Sequence, residues 1–143
     1  MLGSGLVTNV HSRHLRIMRL SIFILTTIIL FGSSAKSAEW TAVSANHHAT
    51  YYVNEGSIKG KEGYVYFWDM GNLLSPLGEG VVSVRSFNKA DCNEFLIKTL
   101  KTSFHKTPMA DDKAEVLPNA KPIWKTPPPS SASAKILKFV CKL

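Results

Sequence analysis

Apolar and polar positions alternate at a period of two through much of the chain after residue 38, which predicts strands. Residues 64–70 (Tyr-Val-Tyr-Phe-Trp-Asp-Met) carry the strongest signal. Tyr64, Tyr66 and Trp68 fall on one side, and Val65, Phe67 and Asp69 on the other. Bulk on both sides predicts a central strand with a helix over one face. Residues 81–87 form a second such strand, with Val82 and Val84 opposed to Ser83 and Arg85. Residues 49–53 (Ala-Thr-Tyr-Tyr-Val) are rich in β-branched and aromatic side chains and read as a strand ended by Asn54-Glu55-Gly56. Residues 39–43 add a short first strand carrying Trp40.

Between these runs lie breaks. Residues 44–48 read as a loop, residues 59–63 as a turn built on Gly60 and Gly63, and residues 71–80, with Pro76, Gly78 and Gly80, as a loop. Residues 107–122 are mostly loop. Between residues 92 and 105 the pattern divides: Leu96, Leu100 and Phe104 have helical spacing, whereas Ile97, Thr99 and Thr102 favour a strand, and periodicity leaves both open.

The last twenty residues change period. Trp124 precedes Pro127-Pro128-Pro129, an extended polyproline segment, and Ser130 is the expected N-cap of a helix of about eleven residues. In that helix Ala134, Leu137 and Cys141 share a face with Ile136 and Val140 alongside, while Lys135, Lys138 and Lys142 fall outside it. So short a helix does not persist alone in water.

The N-terminal pattern is of another kind. A basic start at Met18-Arg19 leads into an apolar run of 13 residues, 20–32, and then small residues to Ala38. That order is a secretory signal peptide over residues 18–38, cleaved after Ala35, Ser37 or Ala38. A spanning helix would need roughly 20 apolar residues. Residues 1–17 read as an extension ahead of the natural start at Met18, leaving residues 39–143 as one small domain. Neither a lipid-anchoring cysteine nor a twin arginine accompanies the signal.

Export alters the meaning of the composition. Removing residues 1–35 takes 17 basic residues to 14 against 10 acidic ones, a net charge of +4. That moderate excess favours acidic surfaces but lacks the clustering of a nucleic-acid binder. Cys92 and Cys141 are the two cysteines, and in an oxidising compartment they predict a disulfide fastening the terminal helix to the sheet. Closing such a loop stabilises by roughly 4 kcal/mol.

The order Trp40, Tyr51-Tyr52-Val53 with Ser57-Ile58, Trp68, Ser86, Asp91-Cys92, Trp124, Pro127-Pro128-Pro129-Ser130-Ser131 and Val140-Cys141 resembles the surface-adhesin protein E family of small exported bacterial proteins. The resemblance spans residues 39–143. It implies an α+β fold, an antiparallel sheet with a C-terminal helix tied to one face by the disulfide, and a strand within residues 92–105. It also implies adhesion to host matrix proteins, at the bacterial surface or in the periplasm. Residues 1–17 and the acidic loop 110–115 depart from the family pattern.

No Gly-x-Ser-x-Gly, His-Glu-x-x-His or phosphate loop is present, so the expected protein is a non-enzymatic binder without cofactor or resident metal. Lys98, Lys101 and Lys106, with Lys59 and Lys61, are the candidate basic face for a protein partner. His47-His48 with His105 are the residues a metal or haem site would use, though adjacent histidines on a strand point apart. Asp111, Asp112 and Glu115 lack the alternate-residue spacing of a calcium loop. Trp40, Trp68 and Trp124, with Tyr51 and Tyr66, are expected to pack between helix and sheet. An envelope structural module is the competing function.

Overall fold

The computed structural model describes residues 39–142; the readings for residues 1–17 and the signal segment 18–38 lie outside them. Six strands form one antiparallel sheet in chain order, β1 (Trp40–Ala45), β2 (Ala49–Lys61), β3 (Tyr64–Leu77), β4 (Val81–Asp91), β5 (Leu96–His105) and β6 (Leu117–Pro118). One helix, α1 (Ala132–Val140), packs across one face. No helix among the described residues is long and apolar enough to cross a membrane.

The first four strands all outrun their predicted ends, β2 and β3 by the most. β2 continues past Asn54 because Ser57 repairs the ladder where its register with β3 shifts between Asn54 and Lys59. The Ser57 hydroxyl donates to the Asn54 carbonyl (2.6 Å) and accepts the Trp68 amide (2.8 Å). β3 keeps pairing β4 in regular register to Asn72, and the predicted loop there shrinks to a 3-10 turn, Gly78–Gly80. Pro76 falls in the irregular stretch before Leu77, where no ladder bond is required of it. The β2–β3 turn is two residues, Glu62 and Gly63, with φ of 54° and 79°. Positive φ at both matches a type I′ hairpin turn, whose twist suits the flanking strands. Gly60 stays within β2.

Residues 96–105 are strand, and the helical spacing has a local cause. The β4–β5 register skips between Phe87 and Asn88, leaving Leu100 unpaired in a bulge. The extra residue breaks the period of two and imitates a longer one. Before β5, Asp91 Oδ1 accepts the Asn93 (3.0 Å) and Glu94 (3.1 Å) amides, turning the chain after Cys92.

The helix caps one residue later than expected. Ser131, not Ser130, accepts the Ala134 amide on its hydroxyl (3.1 Å), and Ser130 takes a φ of 64° at the preceding corner. Nine residues are helical. Ala134, Ile136, Leu137 and Val140 are buried, the last three against Val53, Phe67 and Ala90 of β2, β3 and β4. Cys92 and Cys141 form a disulfide with Cα atoms 5.6 Å apart, joining the β4–β5 turn to the helix C-terminus.

Candidate functional site

Directly paired residues of antiparallel strands project to the same side, so the registers map the face opposite the helix. One row runs Lys59, Tyr66, Lys89, Lys98 across β2 to β5. The next runs Trp40, Asn54, Trp68, Phe87, Lys101, and a third Ala42, Tyr52, Met70, Arg85, Ser103. A fourth runs Thr50, Asn72, Ser83, His105, and at the opposite end Lys61 faces Tyr64 and Asp91 faces Leu96. These four rows hold no carboxylate, and the one at the end of the face, Asp91, is engaged by the Asn93 and Glu94 amides.

The aromatic side chains therefore do not pack under the helix as expected, apart from Tyr51, which does. Trp68 tilts against Phe87 (centroids 5.2 Å), Phe87 stacks on Tyr66 (6.2 Å), and Tyr64 stacks on Trp124 (5.7 Å). Cations sit over this pavement. The Arg85 guanidinium lies 5.3 Å from the Trp40 ring and 5.2 Å from Trp68. Lys89 Nζ is 3.6 Å from the Tyr64 centroid, and Lys98 Nζ is 4.4 Å from Trp124. Ring quadrupoles hold cations in such positions, but they do not neutralise them. Among the described residues none of the three cations forms a salt bridge, and Arg85 Nε is buried without a hydrogen-bond partner. Lys89 and Lys98 stand directly opposite each other, an arrangement that costs stability unless an anion answers it.

Of the predicted basic residues, Lys98 and Lys101 lie on this face, as do Lys59 and, opposite Tyr64, Lys61. Lys106 follows the end of β5 and gives its backbone amide to Asp112 (3.0 Å), away from the pavement. Arg85 and Lys89 were not singled out by spacing. The polar alternation Ser83, Arg85 in β4 is the signal that could have found Arg85.

A strap, residues 107–112, closes the other end of the face. The Ser83 hydroxyl donates to the Thr107 carbonyl (2.7 Å) and accepts the Ala110 amide (3.0 Å), and Asn72 accepts the Met109 amide (2.9 Å). Beneath it, Ser103 Oγ lies 2.8 Å from His105 Nε2, and His105 Nδ1 lies 2.7 Å from Asp112 Oδ1. That connectivity is the one a serine hydrolase uses. Here Ser103 is 2% exposed and His105 3%, so the hydroxyl is closed to a substrate. The group pins the strap. The Lys106 amide, helped by His105 and Thr107 against partial desolvation, draws the Asp112 carboxyl down to about 2. With both ring nitrogens of His105 engaged, the three histidines that a metal site would use are not brought together: His47 and His48 lie ring against ring at 3.8 Å, tilted by 47°, in the β1–β2 loop. No cluster of metal-ligating side chains occurs among the described residues.

On the helix side, a cavity of about 560 Å³ opens between α1, the sheet and residues 119–125. Asp69 lines it together with Tyr51, Ser86, Asn88 and Thr99. Burial pushes the Asp69 carboxyl up to about 7, only partly offset by the Asn88 side-chain amide. The alternation in β3 had placed Asp69 on the face opposite Tyr64, Tyr66 and Trp68, without saying which face the helix covers. Nothing in the sequence marked it as lining a cavity.

A family model described as Surface-adhesin protein E matches residues 40–142. No curated protein matches the chain. Among solved structures, crystal form II of Haemophilus influenzae protein E is 17% identical, covers 77% of this chain and 91% of its own, and superposes with a TM-score of 0.58. A second structure of Haemophilus influenzae protein E is 18% identical over 77% and 88% of the two chains, with a TM-score of 0.57. Protein E from non-typeable Haemophilus influenzae is 18% identical over 77% and 79%, at 0.55. At this identity the structures speak for a shared fold.

Proposed function

Since the chain belongs to the surface-adhesin protein E family, we infer that it is an exported, non-enzymatic adhesin gripping a protein partner through the open face of its sheet. The observation that carries this reading is the set of three cations, Arg85, Lys89 and Lys98, held on aromatic rings with no carboxylate in the rows they occupy and no salt bridge among the described residues. An acidic segment of a matrix protein would satisfy the guanidinium and the opposed lysines, while the exposed ring edges bury its apolar side chains. Hot spots at such surfaces are built from Trp, Tyr and Arg, and Lys59 and Lys101 supply a charged rim. Location at the outer surface, with a host molecule as partner, completes the proposal.

Solid-phase binding of the oxidised domain, residues 39–143, to immobilised matrix proteins is the test. Saturable binding that weakens at least tenfold in the triple variant Arg85→Ala, Lys89→Ala, Lys98→Ala is expected. Wild-type binding no stronger than that of a control protein at low salt would overturn it. Strict periplasmic retention in intact cells would instead favour an envelope component as partner.

A further inference from the structure

The cavity on the helix side is separate from the open face, and it has the features of a ligand site. Its volume, about 560 Å³, falls within the range of small-molecule pockets. Val84, Ile97 and Ile136 supply apolar wall, and Ile123 adds to it from residues 119–125. Asp69 also lines the cavity and forms no salt bridge among the described residues. Its neighbours are ordered: Asn88 is 2% exposed, accepts the Thr99 hydroxyl on Oδ1 (2.8 Å) and donates to the Ser86 carbonyl (3.3 Å). A half-buried carboxylate is costly to ionise without a cation, and among the described residues none is bonded to it. Lys121 and Lys125 also line the cavity, and both are exposed and likewise without an acidic partner among the described residues.

A half-buried acid, two exposed cations and aliphatic walls around one cavity describe the complement of one ligand class. We propose that this cavity binds a short apolar peptide with both termini free, its ammonium on Asp69 and its carboxylate at Lys121 and Lys125. Asn88 positions the Asp69 carboxylate, and Ile136 of the helix covers the peptide's side chains.

Isothermal titration of the oxidised domain with the tripeptide Leu-Ala-Leu tests this. Saturable binding is expected, at least tenfold weaker for the N-acetylated and for the C-amidated peptide. Asp69→Asn should weaken the free peptide tenfold and leave the N-acetylated form unchanged. Ser133→Trp, at an exposed position lining the cavity, should block all three ligands without touching Asp69, so the outcome does not hang on one variant. Affinity should rise between pH 6 and 7.5, because Asp69 ionises there while the peptide ammonium stays charged. Around Asp69 the titratable groups lining the cavity are Tyr51 from β2 and Lys121 and Lys125 from residues 119–125. Those contributed by β4, β5 and α1 (Ser86, Asn88, Thr99, Ser133) are neutral. No saturable binding at millimolar peptide, or equal affinity for the N-acetylated form, would overturn the proposal. Either result leaves the adhesin reading intact, since the triple variant of the open face addresses a different surface.

Discussion

Two carboxyls with opposite shifts make the residue scale testable. Asp69 holds its proton more tightly folded (about 7) than unfolded, so the native state binds more protons than the unfolded chain between those values. Stability therefore falls as pH rises from about 4 to 7 and is level above, a loss on the order of a few kcal/mol. Asp69→Asn removes that slope. In urea titrations the variant should exceed wild type at pH 8, with the difference closing near pH 4; parallel profiles would refute the assignment. Asp112 is the reverse case. Its carboxyl, held near 2 by the Lys106 amide, His105 and Thr107, stabilises the strap above pH 4 and ceases to do so as pH falls toward 2. Hydrogen exchange of the Met109 and Ala110 amides, which Asn72 and Ser83 accept, should accelerate over that window. In Asp112→Asn it should be fast already at neutral pH.

Elements depend on fewer contacts than their lengths suggest. The β2–β3 hairpin turns on Gly63 at a φ of 79°, where an L side chain is strained but has room. Gly63→Ala should cost about 1 kcal/mol in denaturant unfolding. At the helix start, Ser131→Ala should cost about 1 kcal/mol and Ser130→Ala far less, because only Ser131 caps an amide. Equal losses would move the cap. These are also the places where reading the chain had least to work with. Two adjacent serines after three prolines are equivalent as sequence, and the corner decides between them. Leu100 imitates helix because a bulge, which depends on a neighbouring strand, shifts the alternation by one residue.

For the whole molecule, the disulfide matters most. α1 is nine residues long, and its hold on the sheet is a small apolar contact plus the bond from Cys141 to the β4–β5 turn. With the cysteines 49 positions apart in the chain, Cys92→Ser with Cys141→Ser should lower stability by roughly 4 kcal/mol. The oxidised wild type should show no alkylatable thiol under denaturing conditions. Loss of the helix would open the cavity roof as well, so peptide binding should vanish with reduction. Binding at the open face should survive it as long as the sheet remains folded.

Sequence alone determined the strands around Trp68 and Val84, the apolar face of the terminal helix and the pairing of two cysteines, because period and cysteine count are local or global properties that need no neighbour. It also held the family resemblance, carried by aromatic residues and cysteines in order. Only the tertiary structure decided what those aromatics do. Whether Trp40, Trp68 and Trp124 lie under the helix or opposite it depends on which side of the sheet the chain's end returns to, and alternation is symmetric between the two sides. The same holds for the cations, since Lys59, Lys89 and Lys98 become one row only through the register of four strands, and for Asp69, whose burial and raised pKa are created by elements distant from it in the chain.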